Sequence, residues 1–164
     1  MSLLTNILVD ALLAAVAATG FAVISNPPKR AVAASALLSA VGHSFRYFLL
    51  HQTSLDIATA TFAAALLIGS MSFIFAKLIQ CPNEVFTFPS LLPMIPGMYA
   101  YKMFLSLAKF ARTNEPTSYP SLIEDIFSNG LTASFILLAL VVGVSLPVMI
   151  FHKESFTLTR KSKE

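Results

Sequence analysis

The chain has 164 residues, of which 56% are hydrophobic and 12% are charged, and it carries 11 basic and 8 acidic side chains. A soluble domain has about 25% charged and about 45–50% apolar residues. These figures exclude a soluble globular fold and a disordered chain, and the single cysteine, Cys81, excludes an internal disulfide. The sequence predicts one polytopic membrane domain, residues 1–152, followed by a basic cytoplasmic tail, residues 153–164.

Five stretches of the chain are apolar and long enough to cross a membrane, which takes about 20 residues per helix. We therefore expect an all-α integral membrane protein with about five transmembrane helices. The first stretch is interpreted as a retained span and not as a signal peptide, because no basic residue precedes it and Asp10 interrupts it. The second stretch is the one whose membrane crossing is least well supported, because His43 and Arg46 each raise its insertion free energy by a few kcal/mol. The five spans are residues 3–25, 31–50, 55–78, 85–110 and 128–151.

Short polar connections separate these spans. The sequence Asn26-Pro27-Pro28-Lys29-Arg30 must end a helix, because proline lacks the backbone N–H and clashes with the preceding turn. Ser54 is expected to cap the third span at its N-terminus. In the longer connection, residues 111–127, Pro120 is placed to open a short helix of its own at the membrane interface.

Basic residues are unevenly divided between the two sides of a five-span chain. The first and third loops and the C-terminus share one side, and the positive-inside rule makes that side cytoplasmic. The N-terminus is then outside and the C-terminus is in the cytoplasm. The same rule explains the basic clusters without nucleic-acid binding. The cytoplasmic side collects seven basic residues: Lys29, Arg30, Lys77, Lys153, Arg160, Lys161 and Lys163.

Four ionisable residues fall inside the predicted spans, where such groups usually face a bundle interior or a cavity. They are Asp10, His43, Arg46 and Lys102. At 1.5 Å per residue, all four lie roughly 6–12 Å below the outer boundary. We hypothesise that Asp10 pairs with Arg46 or Lys102 and that His43 joins them, so that Asp10 and His43 carry protons during transport. The alternatives are a neutral polar clasp between helices, and basic side chains that extend to the headgroups.

The fourth span contains three prolines and a glycine in its middle, in the run from Pro89 to Gly97. Each interior proline frees a backbone carbonyl, and Gly97 permits a positive φ. Unwound backbone at membrane depth is tolerated where it is buried in protein or lines a wet cavity. We therefore expect a broken helix that contributes to a substrate path. The candidate substrate-binding residues are Arg46, Lys102, Pro93, Pro96, Gly97, Asn129, Thr132 and Ser134, although the last three side chains would ordinarily bond within a helix.

Small residues recur along the first two spans and predict faces at which these helices approach each other closely. In the first span they are Ala11, Ala14, Ala15 and Ala18, and in the second they are Ala33, Ala36 and Ala40.

Motifs of common hydrolases and nucleotide-binding proteins are absent from the sequence: it has no HExxH, no phosphate-binding P-loop, no GxSxG and no Cys/His ligand set. We therefore expect no enzymatic activity, no metal site and no cofactor. The odd span count is also awkward for a transporter built from two inverted repeats, which suggests one part of a larger assembly.

Several segments resemble the small membrane subunit of the bacterial threonine/serine exporter (ThrE-like) family. They are Gly20-Phe21-Ala22, Asn26-Pro27-Pro28-Lys29-Arg30, Val41-Gly42-His43-Ser44-Phe45-Arg46, Pro93-Met94-Ile95-Pro96-Gly97 and Asn129-Gly130-Leu131-Thr132-Ala133-Ser134. The resemblance implies an inner-membrane exporter of small polar carboxylates, either threonine and serine or dicarboxylates such as succinate, driven by the proton-motive force. It also implies a larger membrane subunit as partner, in addition to the lipid bilayer, while assembly with further copies of this chain stays open. The alternative function is a non-catalytic membrane scaffold that stabilises a partner transporter subunit.

Overall fold

The computed structural model describes residues 3–113 and 115–150, and the predicted basic tail lies outside them. Helices dominate this part of the chain, and it contains no strand. The six α-helices are α1 (Leu3–Ile24), α2 (Lys29–Gln52), α3 (Ile57–Ile79), α4 (Glu84–Leu91), α5 (Gly97–Arg112) and α6 (Tyr119–Ile150), with short 3₁₀ helices at Leu92–Met94 and Pro116–Ser118.

Three of these helices are long and apolar enough to span a membrane, namely α1, α3 and α6. The expected count of five spans is therefore not confirmed. Helix α2 has 24 residues, but it carries His43, Arg46 and several serines, and it does not meet this composition limit. The fourth predicted span is divided between α4, which has 8 residues, and α5, which has 16, so neither reaches the length that a spanning helix needs.

The predicted interfacial helix and the predicted fifth span form one continuous helix of 32 residues, α6. The expectation of two separate helices was wrong. Pro120 occupies the second position of α6, where its missing N–H has no intrahelical partner to lose. The next proline is Pro147, near the C-terminal end, so nothing in between removes a backbone hydrogen bond.

Helix ends also differ from the sequence expectation at two positions. Asp56, and not Ser54, caps α3: its carboxylate accepts hydrogen bonds from the N–H groups of Ala58 and Thr59. A carboxylate satisfies two of the unpaired N–H groups at the helix start, and its charge is favourable there. Gly97 begins α5 without a positive φ, so it does not use the conformational freedom that glycine offers.

The chain divides into two units. Among the described residues, the first unit contains 3–94 together with 139–150, and the second contains Ile95–Leu138.

In the first unit, α1 packs against α2 through small side chains. On α1, Ala14, Ala18 and Ala22 are buried. On α2 the predicted small-residue face is only partly buried, because Ala33 is exposed and Ala36 and Ala40 are half-buried. The buried face of α2 instead contains Ala31, Ala34, Ser35, Leu38, Ser39, Gly42 and His43. Serines belong to this face because each hydroxyl can bond a backbone carbonyl inside the bundle.

The C-terminal half of α6 packs on α3 at two glycines. A Cβ atom on Gly143 would lie 2.7 Å from the Cβ of Ala65 and 2.9 Å from the carbonyl oxygen of Phe62. A Cβ atom on Gly69 would lie 3.2 Å from the carbonyl oxygen of Val144. The two backbones therefore approach so closely that glycine is required at the tighter of the two contacts.

The second unit is a hairpin of α5 and the N-terminal half of α6. The ring of Phe110 lies 5.2 Å from that of Tyr119 at the connection, and Gly130 leaves room for the Met103 side chain. Few of its side chains are buried; these include Ser106, Ala133 and Ile136. Its exposed apolar residues include Met98, Tyr101, Phe104, Leu107, Phe127, Leu131 and Phe135.

Candidate functional site

A carboxylate–imidazole pair joins α1 to α2 inside the first unit. Nδ1 of His43 lies 3.0 Å from Oδ2 of Asp10, which is hydrogen-bond distance. The His43 side chain is 9% exposed and that of Asp10 is 32% exposed, so the pair is sheltered on the histidine side and more accessible on the aspartate side. The other ring nitrogen of His43, Nε2, is buried, and no hydrogen-bond partner for it is found among the described residues.

Arg46 follows His43 by three residues and lies on a neighbouring part of the same helix face. One of its terminal nitrogens, Nη1, lies 3.5 Å from the backbone carbonyl oxygen of Met94, at the long end of the hydrogen-bond range. Met94 ends the 3₁₀ helix after α4. The N–H of Gly97, which would continue the 3₁₀ pattern by bonding the carbonyl of Met94, bonds that of Ile95 instead. Arg46 therefore approaches a carbonyl in the stretch where regular helix stops.

The Pro/Gly motif is shared between the two units. Pro93 lies in the 3₁₀ helix of the first unit and is half-buried. Pro96 is buried and immediately precedes α5, and Gly97 is exposed as the first residue of that helix. The motif thus coincides with the interval between α4 and α5, and Met94, which contacts Arg46, lies inside it.

The remaining candidates lie in the second unit. Lys102 is exposed on α5, and its predicted pairing with Asp10 stays a prediction. The three polar candidates of α6 each donate a hydrogen bond to a carbonyl one turn earlier in the same helix: Asn129 to Asp125 at 2.8 Å, Thr132 to Ser128 at 2.8 Å and Ser134 to Gly130 at 2.8 Å. Their substrate contacts also stay predictions.

A row of buried serines next to His43 was not predicted from the sequence. Ser39 donates a hydrogen bond to the carbonyl oxygen of Ala14 at 3.2 Å, which links α2 to α1 one turn away from the Asp10–His43 pair. Ser90 on α4 donates to the carbonyl oxygen of Ser35 at 2.9 Å. Ser35, Ser39 and His43 are spaced by four residues, and this spacing was the available signal, because it places them on one face of a helix.

This arrangement suits proton handling beside an anion-binding group. A histidine is the side chain that ordinarily changes charge between about pH 5 and 8, and a carboxylate partner fixes which ring nitrogen bears the proton. A guanidinium group offers a planar set of donors that matches a carboxylate. Among the described residues, no group of three or more His, Cys, Asp or Glu side chains is placed to hold a metal ion.

Comparison with known proteins identifies the family of the chain. The family described as "Threonine/Serine exporter, ThrE" matches residues 10–150, which include the whole first-unit site. An uncharacterized protein of Haemophilus influenzae is 35% identical over 149 residues, which cover 91% of this chain and 49% of the relative. The chain thus spans about half the length of this curated relative. No solved structure matches it. The chain belongs to the threonine/serine exporter family, and it is therefore a multi-pass membrane protein of an exporter family.

Proposed function

We propose that this chain is one subunit of a bacterial inner-membrane exporter of small polar carboxylates and that it couples export to proton movement. The substrates would be threonine and serine or a dicarboxylate such as succinate. The single observation that carries the coupling part of this proposal is the contact between His43 and Asp10 at 3.0 Å, within the residues that match the exporter family.

The position of Arg46 supports the substrate class. It lies on α2 one turn from His43, and its Nη1 lies 3.5 Å from the carbonyl oxygen of Met94. A substrate carboxylate would form shorter, charge-assisted hydrogen bonds with the same guanidinium group. In this proposal the substrate carboxylate binds at Arg46 while the neighbouring pair exchanges a proton.

The length of the chain relative to its longer relative, and its exposed apolar surface, support the proposal of a partner subunit. It matches about half of a longer relative, and its second unit exposes many large apolar side chains. We propose that a larger membrane subunit of the same family supplies the other half of the exporter and covers part of this apolar surface. Lipid would cover the rest.

Reconstitution in proteoliposomes tests the function. Three preparations are compared: this chain alone, the larger partner alone, and the two together. The efflux of labelled threonine and labelled succinate is followed in each under an imposed pH gradient. We expect gradient-dependent efflux when both subunits are present. Equal efflux from the partner alone would contradict a transport role for this chain.

One double variant distinguishes the transporter function from the second candidate function, a scaffold that stabilises the partner. Asp10→Asn with His43→Gln removes the titratable pair but leaves the small-residue packing of α1 and α2 in place. A transporter subunit loses gradient-dependent efflux in this variant although the complex still assembles. A scaffold keeps both the complex and the efflux, and that result would favour the scaffold.

A further inference from the structure

A cleft lies in the second unit between the end of α5 and the start of α6, well separated in sequence from the Asp10–His43 site. Its volume is about 500 Å³, within the range of small-ligand sites. Its polar lining consists of Lys109, Arg112, Thr113 and Ser118, and its apolar lining consists of Leu105, Ala108 and Leu122. Two cations and two hydroxyl-bearing residues therefore line one cavity with an apolar wall.

The two cations of this cleft are available to a ligand. Lys109 and Arg112 are both exposed, and neither forms an ion pair or a side-chain hydrogen bond with another residue among those described. The nearby acidic residues of the sequence are Glu115, Glu124 and Asp125, and none of them lines the cleft. The described lining of the cavity therefore carries two positive charges and no carboxylate, which favours an anion.

The apolar wall of the cleft continues along one face of α5. Met98, Tyr101, Leu105 and Ala108 recur at steps of three and four residues, and the first three are 66%, 60% and 39% exposed. This face extends for about 15 Å at the rise of an α-helix. A small soluble anion would contact the two cations and leave this apolar face uncovered. An amphiphile would contact both the cations and the apolar face.

We propose that this cleft binds the phosphodiester headgroup of an anionic phospholipid. Lys109 and Arg112 donate hydrogen bonds to the phosphate, Thr113 and Ser118 offer hydroxyls to the glycerol portion, and an acyl chain lies along the apolar face of α5. The cleft follows the apolar run of α5 and precedes the long apolar helix α6, so the cations are placed as at a membrane–water boundary.

Native mass spectrometry of the purified full chain, with its partner if the two copurify, tests this proposal. The protein is exchanged into detergent containing equal amounts of phosphatidylglycerol and phosphatidylethanolamine, and the retained lipids are counted. We expect preferential retention of phosphatidylglycerol. The double variant Lys109→Gln, Arg112→Gln should lower that retention by about tenfold or more. The exchanged pair Lys109→Arg, Arg112→Lys should keep it.

The matched control removes two exposed cations elsewhere, Lys29→Gln with Arg30→Gln, and should retain phosphatidylglycerol as the unaltered chain does. Equal loss in this control would overturn the proposal, because it would show a general attraction of positive charge for lipid. Equal retention of both lipids by the unaltered chain would overturn it as well. Inorganic phosphate at millimolar concentration should not displace the lipid, and displacement would assign the cleft to free phosphate instead.

Discussion

The imidazole of His43 and the carboxylate of Asp10 meet at 3.0 Å although 33 residues separate them in the chain. Their contact ties α2 to α1 next to the Ser39–Ala14 hydrogen bond, so the two helices are joined by two successive polar contacts. Small side chains surround these contacts, which lets the helices approach closely enough for short polar groups to reach across.

Replacing either member of the pair should change how export depends on pH. We expect His43→Gln or Asp10→Asn to lower gradient-driven efflux by about tenfold or more, because each change removes one of the two groups proposed to exchange the proton. The measurement is efflux from proteoliposomes between pH 5.5 and pH 8. His51→Gln is the matched control, because His51 is an exposed histidine on the same helix. If His51→Gln altered the pH profile as much as His43→Gln, the assignment to the pair would fail.

Arg46 should control substrate affinity. Arg46→Gln removes the guanidinium group, and we expect the KM for export to rise by about tenfold, with a smaller effect on the maximal rate, because a lost charge-assisted hydrogen bond weakens binding by about 1.5–3 kcal/mol. Arg46→Lys keeps the charge without the planar donor set and should give an intermediate KM. Lys29→Gln is the control for removal of one positive charge. Unchanged KM in Arg46→Gln would contradict the binding role.

Even the smallest substitution at Gly143, alanine, should destabilise the chain. In Gly143→Ala the new Cβ would lie 2.7 Å from the Cβ of Ala65 and 2.9 Å from a backbone carbonyl, so α6 must move away from α3. We expect a destabilisation of about 1–3 kcal/mol. Gly20→Ala is the control, since a Cβ on Gly20 meets nothing within 4 Å and should be neutral or slightly stabilising in a helix. Thermal unfolding in detergent compares the two, and equal melting temperatures would contradict the close contact.

Asp56 should make the stability of α3 depend on pH. Hydrogen bonds from the Thr59 hydroxyl and N–H, with that from Ala58, lower the pKa of Asp56 below its ordinary value of 3.8. A lowered pKa means that its contribution is fully present above that ordinary value and is lost as the pH falls through the lowered one.

The comparison is between the unaltered chain, Asp56→Asn and Asp56→Ala, by thermal unfolding at pH 7 and at pH 3. Asparagine still caps a helix but carries no charge, so the melting temperature should fall slightly in Asp56→Asn at pH 7, and the difference should shrink at pH 3. Asp56→Ala should be less stable than Asp56→Asn at both pH values. A difference between the unaltered chain and Asp56→Asn that grew on acidification would contradict the lowered pKa.

Local signals in the sequence predicted the ends of some elements well and others poorly. Two prolines before Lys29 separate α1 from α2 as expected, because proline acts within its own turn. The cap of α3 was misplaced by two residues, since Ser54 and Asp56 are both good caps and the sequence does not show which one the helix starts beside. The continuity of α6 was missed because Pro120 was expected to open a short helix of its own, although a proline in the first turn is compatible with one long helix.

The sequence by itself determined that this is a helical membrane protein of the threonine/serine exporter family, and it singled out Asp10, His43 and Arg46 as ionisable groups in apolar helices. Composition, apolar runs and breakers are local properties, so they can be taken from the chain directly. The tertiary structure decided the partners: His43 for Asp10, and the carbonyl of Met94 for Arg46. These contacts depend on the rotation and register of one helix against another. Side-chain size alone does not determine that rotation. Ala33 and Ala34 are identical side chains on neighbouring positions, yet α2 buries Ala34 and exposes Ala33.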